Sequence, residues 1–101
     1  MRMLLNVEFP AEPFNTAVKN GTVGAIIGKI MEDIKPEAAY FTDNNGHRGG
    51  VLVVNVDKPS DVPFLAEPWF LKFNAECQFH IAMTPDDLRL ADLEELGKKW
   101  S

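Results

Sequence analysis

Cysteine is almost missing from this chain of 101 residues. Cys77 stands alone, so no disulfide can close within one copy, and such usage fits a reducing compartment. Clustered positive charge is missing too. The ten Lys and Arg residues are scattered, and against 15 Asp and Glu they leave a net charge of −5, which argues against a surface that tracks phosphates. Nucleic acid is therefore not an expected partner. Nor does any apolar run approach the roughly 18 residues that a membrane-spanning helix requires. The opening "MRMLLNVEFP" is interrupted by Asn6 and Glu8, well short of the apolar core of a signal sequence. A cytoplasmic, soluble protein without a membrane partner is the expectation. Asn20-Gly21-Thr22 matches a glycosylation sequon, but without a signal peptide the match reads as chance. No internal repeat or low-complexity segment is visible.

What is present is a globular composition, 46% apolar, in a length suited to a single domain over residues 1–101. Met3, Leu5, Val7 and Phe9 alternate with Arg2, Leu4, Asn6 and Glu8, the period of a half-buried strand. From Pro13 to Ile34 the apolar spacing changes to three and four, predicting a helix that is irregular near Asn20-Gly21 and stopped at Lys35-Pro36. "EAAYFTD" and "GGVLVVNVD" read as two strands joined by a turn at "NNGHR". A second helix starts after Ser60, with Leu65, Trp69 and Phe73 at spacing four, and Pro68 predicts a kink or a division into two short helices. "NAECQFHIAM" is a strand. "TPDDL" then opens a last helix, with Thr84 as cap, Pro85 in the first position, and Leu90, Leu93, Leu96 and Trp100 along one side.

The order β-α-β-β-α-β, plus a C-terminal helix, predicts an α+β domain of the ferredoxin-like plan with one antiparallel four-stranded sheet. Both long helices then lie on one face, with Leu52, Val54 and Val56 turned toward them. Leu4, Val51 and Val53 share the other face with Asn6, Glu8, Asn55, Gln78 and His80. Leaving those three apolar side chains wet forgoes roughly 1.5–3 kcal/mol each, so a second sheet is expected to cover them in a homodimer.

With "PEAAYF" and "LAEPWFLKFNAECQFHIAMTPDDL" in this order of elements, the chain resembles the dimeric α+β barrel superfamily. Within it, the chain is similar to muconolactone-isomerase-like proteins and to a group of small uncharacterised bacterial proteins. The resemblance implies a homodimer packed sheet to sheet, with a cleft between each sheet and its helices or within the shared barrel. No catalytic set of the isomerase maps onto this sequence residue by residue, so its activity is not carried over.

The candidate chemistry sits on the open face. Glu8 and His80 are the candidate proton-transfer groups, because a buried carboxyl or an imidazole titrates in a useful range. Asn6, Gln78, Asn55 and Tyr40 are candidate ligand contacts around them, and Arg48 is a candidate anion contact at the barrel rim. The competing explanation is that these groups satisfy one another across a wet dimer interface. "NNGHRGG" looks like a phosphate loop, but it opens a strand instead of a helix, and Asn45-Gly46 suits a two-residue hairpin turn. Cys77 and His80, three apart on a strand, point to opposite faces and form no metal pair. No metal or other cofactor is called for. Trp69 reads as core, and Gly21, Gly24 and Gly28 as close approach of helix to sheet.

Three functions remain. The leading one is a homodimer that binds a small organic molecule, with isomerase-like, cofactor-free proton transfer. The second is a non-catalytic interaction or regulatory module, and the third a cofactor-free monooxygenase.

Overall fold

A computed structural model of the chain describes all 101 residues. The chain forms β1 (Arg2–Phe9), α1 (Phe14–Lys19), α2 (Val23–Ile34), β2 (Ala38–Asn44), β3 (His47–Asn55), α3 (Asp61–Phe73), β4 (Glu76–Ile81), α4 (Pro85–Leu90) and α5 (Leu93–Lys99). The four strands make one open antiparallel sheet in the order β2-β3-β1-β4, an α+β arrangement with β2 and β4 at the edges.

Strand alternation divides the sheet into two unlike faces. Leu5, Val7 and Phe9 of β1 and Leu52 and Val54 of β3 are buried, and α2 and α3 lie over them. The helices contribute Ile30 and Ile34 from α2 and Leu65, Trp69 and Phe73 from α3. The rings of Phe9, Phe14 and Phe73 meet at centroid distances of 5.1–5.2 Å, with Phe9 edge-on to both others, and Trp69 closes the cluster 5.8 Å from Phe9. The indole Nε1–H of Trp69 has no acceptor, the one buried side-chain polar atom so placed. No layer covers the opposite face.

The hairpin between β2 and β3 turns at Asn45 and Gly46, with φ of 54° and 78°, the positive values that a type I′ turn requires. Gly49 follows, at a position where the strands leave no room for a side chain. A Cβ there would stand 2.8 Å from Asn44 Cβ and 3.0 Å from the Val7 carbonyl oxygen.

Expectations are corrected at three elements. The first helical stretch is two helices, divided at Asn20–Thr22, where Gly21 takes a φ of 77°. Pro68 does not divide α3, which runs unbroken from Asp61 to Phe73. The carbonyl that loses its partner to Pro68 belongs to Phe64, an exposed residue, so water can replace the missing N–H. The start of α3 is also bound differently, since Ser60 makes no side-chain cap. The Asp61 carboxylate accepts instead from the backbone N–H groups of Asp57 and Lys58, and the Asp57 bond leads in holding its carboxyl below the usual range.

The third correction concerns the last helix, which is two short ones. Asp92 takes the left-handed conformation (φ 55°) between α4 and α5 and accepts from the Glu95 N–H. The predicted start of α4 is present in full. Asp87 N–H donates to Thr84 Oγ1 at 3.1 Å, and Thr84 N–H donates to Asp87 Oδ2 at 2.9 Å, a reciprocal capping box. From Thr84 to Ser101 every residue is exposed. No helix of the chain is long and apolar enough to cross a membrane.

Candidate functional site on the open sheet face

Pairing in register turns the uncovered face into rows that run across the strands. One row is Glu76, Glu8, Gly49 and Thr42; the next is Gln78, Asn6, Val51 and Tyr40; a third is His80, Leu4, Val53 and Ala38. One side of the face is therefore polar, and its centre is apolar. Leu4, Val51 and Val53 are each half-buried by their neighbours and have nothing above them.

The polar side has a small hollow of about 150 Å³, lined by Asn6, Glu8, Glu76 and Gln78 of the sheet and by Asn44 and Asn45 of the hairpin. Asn45 Nδ2 donates to Glu8 Oε1 across it at 3.4 Å, a long bond. Glu8 and Glu76 sit directly opposite each other, a like-charged pair that stabilises neither strand. Two carboxylates among four carboxamides offer acceptors and donors to one polar group of a small ligand. Asn44, Asn45 and Glu76 were not among the residues singled out as ligand contacts. The strand parity that Glu76 shares with Gln78 and His80 marks it; nothing local marks the two asparagines, which the hairpin brings over from another strand.

The other candidates lie at different distances from this hollow. His80 shares the face, one row away, opposite Leu4, and its imidazole is exposed. Tyr40 is 69% exposed at the far end of the Gln78 row. Three strand spacings, about 14 Å, separate it from Gln78 in one copy. Asn55 belongs to the far end of the sheet. Its Oδ1 accepts from the Met1 amino group at 3.1 Å and its Nδ2 donates to Asp57 at 2.8 Å, so its amide is engaged there. Arg48 stands on the other side of the sheet, paired with Phe9. Its guanidinium lies 4.5 Å from the Phe14 ring centroid, and Nη1 donates to Asn15 Oδ1 at 2.7 Å. The structure thus groups Asn6, Glu8 and Gln78, keeps His80 and Tyr40 on the same surface, and separates Asn55 and Arg48 from them.

A larger hollow of about 400 Å³ lies on the helical side, between α2 and α3, and is lined by Ala25, Ile26, Ile30, Pro68 and Leu71 with Lys29, Lys72 and Asp33. It is mainly apolar and is separated from the open face by the whole thickness of the sheet. No three His, Cys, Asp or Glu side chains converge to hold a metal ion.

Cys77 faces the helices, paired with Val7, while His80 faces the other way. Burial pushes the Cys77 thiol up to about 11, with a smaller push from the Glu67 carboxylate. Alkylation by iodoacetamide at pH 8 should therefore run roughly a hundredfold slower in the native protein than after denaturation, because the thiolate is the reacting form. A raised folded-state value also carries a sign: this contribution to stability is intact below the ordinary thiol pKa and is lost as pH rises from about 9 toward about 11. Equal alkylation rates in the two states would place the thiol in solvent.

The chain matches no protein-family model and no curated protein.

Proposed function

We propose that the protein is a homodimer of ferredoxin-like protomers, stacked open face to open face, that binds a small organic molecule between its sheets. The single observation that carries this reading is the uncovered face itself, apolar at Leu4, Val51 and Val53 and polar along Asn6, Glu8 and Gln78. Burying the apolar centre against its copy recovers roughly 1.5–3 kcal/mol per large side chain. The polar side then becomes part of an enclosed wall, where carboxamides and a carboxylate fix the orientation of a ligand whose body lies on Val51 and Val53.

In this arrangement Glu8 and His80 are the groups able to move a proton. Closure of the second sheet withdraws water from the face that carries Glu8 and His80, so a ligand held there meets them directly. The reaction class is cofactor-free proton transfer on a small organic molecule, of the isomerase kind. The non-catalytic dimer remains the second reading, favoured by the close opposition of Glu8 and Glu76, which need polar company at any interface.

His80→Ala discriminates between the two. A ligand-facing imidazole has little packing to lose, so the melting temperature should move by less than about 3 °C, a shift of well under 1 kcal/mol. Binding, followed by the side-chain amide resonances of Asn6 and Gln78 during titration with small lactones and enols, should weaken at least tenfold. A large drop in melting temperature with unchanged binding would make His80 a structural residue and leave the interaction module standing.

A further inference from the structure

Residues 84–101 form an arm that the rest of the chain does not touch closely enough to bury. The arm is nevertheless ordered by its own signals, namely the Thr84–Asp87 capping box, the Asp92 cap on Glu95 N–H and the Lys98–Glu95 ion pair at 3.2 Å. Helices of six and seven residues are far below the length at which a helix persists alone in water, about 12–15 residues. Their apolar side chains are large and wet. Leu93, Leu96 and Trp100 recur at three and four on α5, and Trp100 is 76% exposed.

The arm also distorts the dimensions of the molecule. The radius of gyration is 17.0 Å and the long axis 59 Å, against about 13 Å of gyration radius for a compact chain of this length. The accessible surface is 6981 Å², where a monomer of 11.3 kDa exposes about 5,700 Å². The surplus, about 1,300 Å², exceeds the roughly 800 Å² that one partner buries in an ordinary stable interface.

We infer that this arm is exchanged between copies, the α5 side chains of one protomer seating against the β2 edge of its partner. An apolar hollow lies there, at the outermost strand, lined by Phe14, Ile27 and Phe41. Phe41 is 51% exposed, on the helical side of a strand that has no neighbour beyond it. The arm leaves from β4, the opposite edge of the sheet. If the two proposed sheets cross at near right angles about a twofold, the end of one β4 passes the other copy's β2 edge. At helical rise the 16 residues from Thr84 to Trp100 span at most about 24 Å, less where the chain turns at Asp92. A second copy is the occupant because the same chain holds both parts, a donor arm its own body does not use and a hollow its own arm does not reach. The reciprocal exchange buries both twice. The position of the hollow relative to the arm rests on the face-to-face dimer proposed above.

The test uses full-length chains, since the core cluster draws no residue from the arm. Leu93→Asp combined with Leu96→Asp, and separately Phe41→Asp, should each raise the dissociation constant from sedimentation equilibrium at least tenfold. Circular dichroism should show the body of each variant folded. Trp100 provides a second readout, because Trp69 is fully buried. Acrylamide quenching of the wild-type chain should rise severalfold on dilution to the monomer, and Trp100→Phe should abolish that rise. Arm variants that dissociate within twofold of wild type, or a Trp100 freely quenched in the dimer, overturn the exchange while leaving the face-to-face contact. A Val53→Asp dimer of normal strength beside dissociating arm variants overturns the face-to-face reading and upholds the arm. A wild-type chain monomeric at 100 μM, on the order of 10⁴ below the molar standard state, overturns both.

Discussion

Phe73→Ala should destabilise the body by about 3–5 kcal/mol and lower its melting temperature by more than about 10 °C. Phe73 is fully buried at the end of α3, with the rings of Phe9 and Phe14 5.2 and 5.1 Å away and Trp69 stacked at 6.4 Å. These neighbours are rigid and are held by strand β1 and by two helices, so they cannot fold into the vacancy. The cost is the lost transfer of an aromatic ring plus a cavity that stays open. Phe70→Ala, three residues earlier on the same helix but partly exposed, should cost less than about 1–2 kcal/mol by the same reasoning. Denaturant unfolding of the pair checks the contrast; equal losses would misplace the aromatic cluster.

The second large effect is on assembly. Val53→Asp should raise the dissociation constant of the proposed dimer at least a hundredfold while leaving the protomer folded. Val53 stands at the centre of the uncovered face, between Leu4 and Ala38, so in the monomer a carboxylate there meets water. In a face-to-face dimer the carboxylate is buried with no Lys or Arg in its row. Removing that charge from water costs several kcal/mol, and twofold symmetry imposes the cost twice. Each 1.4 kcal/mol is a factor of ten in the constant. Sedimentation equilibrium decides it, and an undisturbed dimer would move the interface away from this face.

The division of the sheet into two faces was legible because β4 alternates strictly and β1 does so from Leu5 to Phe9, which fixes the parity of the apolar run in β3 between them. Parity alone put Leu5 and Val7 inward and Asn6 and Glu8 outward, and pairing of Asn6 with Gln78 and Glu8 with Glu76 agrees with it. The same parity could have separated Arg48 from the open face, since it lies three residues from Val51. Its cation was read as a rim contact because the turn beside it drew attention to anions. Asn55 is engaged elsewhere for another reason. Its partners, the Met1 amino group and Asp57, are brought to it by the pairing of β1 with β3, and no local pattern announces them. The break at Asp92 lacks the usual warning as well. No Gly or Pro stands at the joint, and an aspartate in the left-handed conformation looks in sequence like an ordinary exposed helical residue. Pro68 was the reverse case, a strong local signal overridden because the carbonyl it orphans faces solvent.

The strand order also governs how the protein behaves when crowded. With β2 and β4 at the edges, two ladders of backbone amides and carbonyls end without a partner, and the β2 ladder runs through Ala38-Ala39-Tyr40-Phe41, an uncharged and β-prone segment. Such an edge is a template for adding a further strand from another molecule. Here its guardians are ionic. Glu37 precedes it, held by Arg2 at 3.0 Å, and Asp43 follows it. Near pH 4.9 the net charge that keeps copies apart disappears. With that repulsion gone, the backbone ladder of β2 is the expected place for a further strand to add, and precipitation near this pH should carry the signature of strand pairing while the aromatic core is still folded.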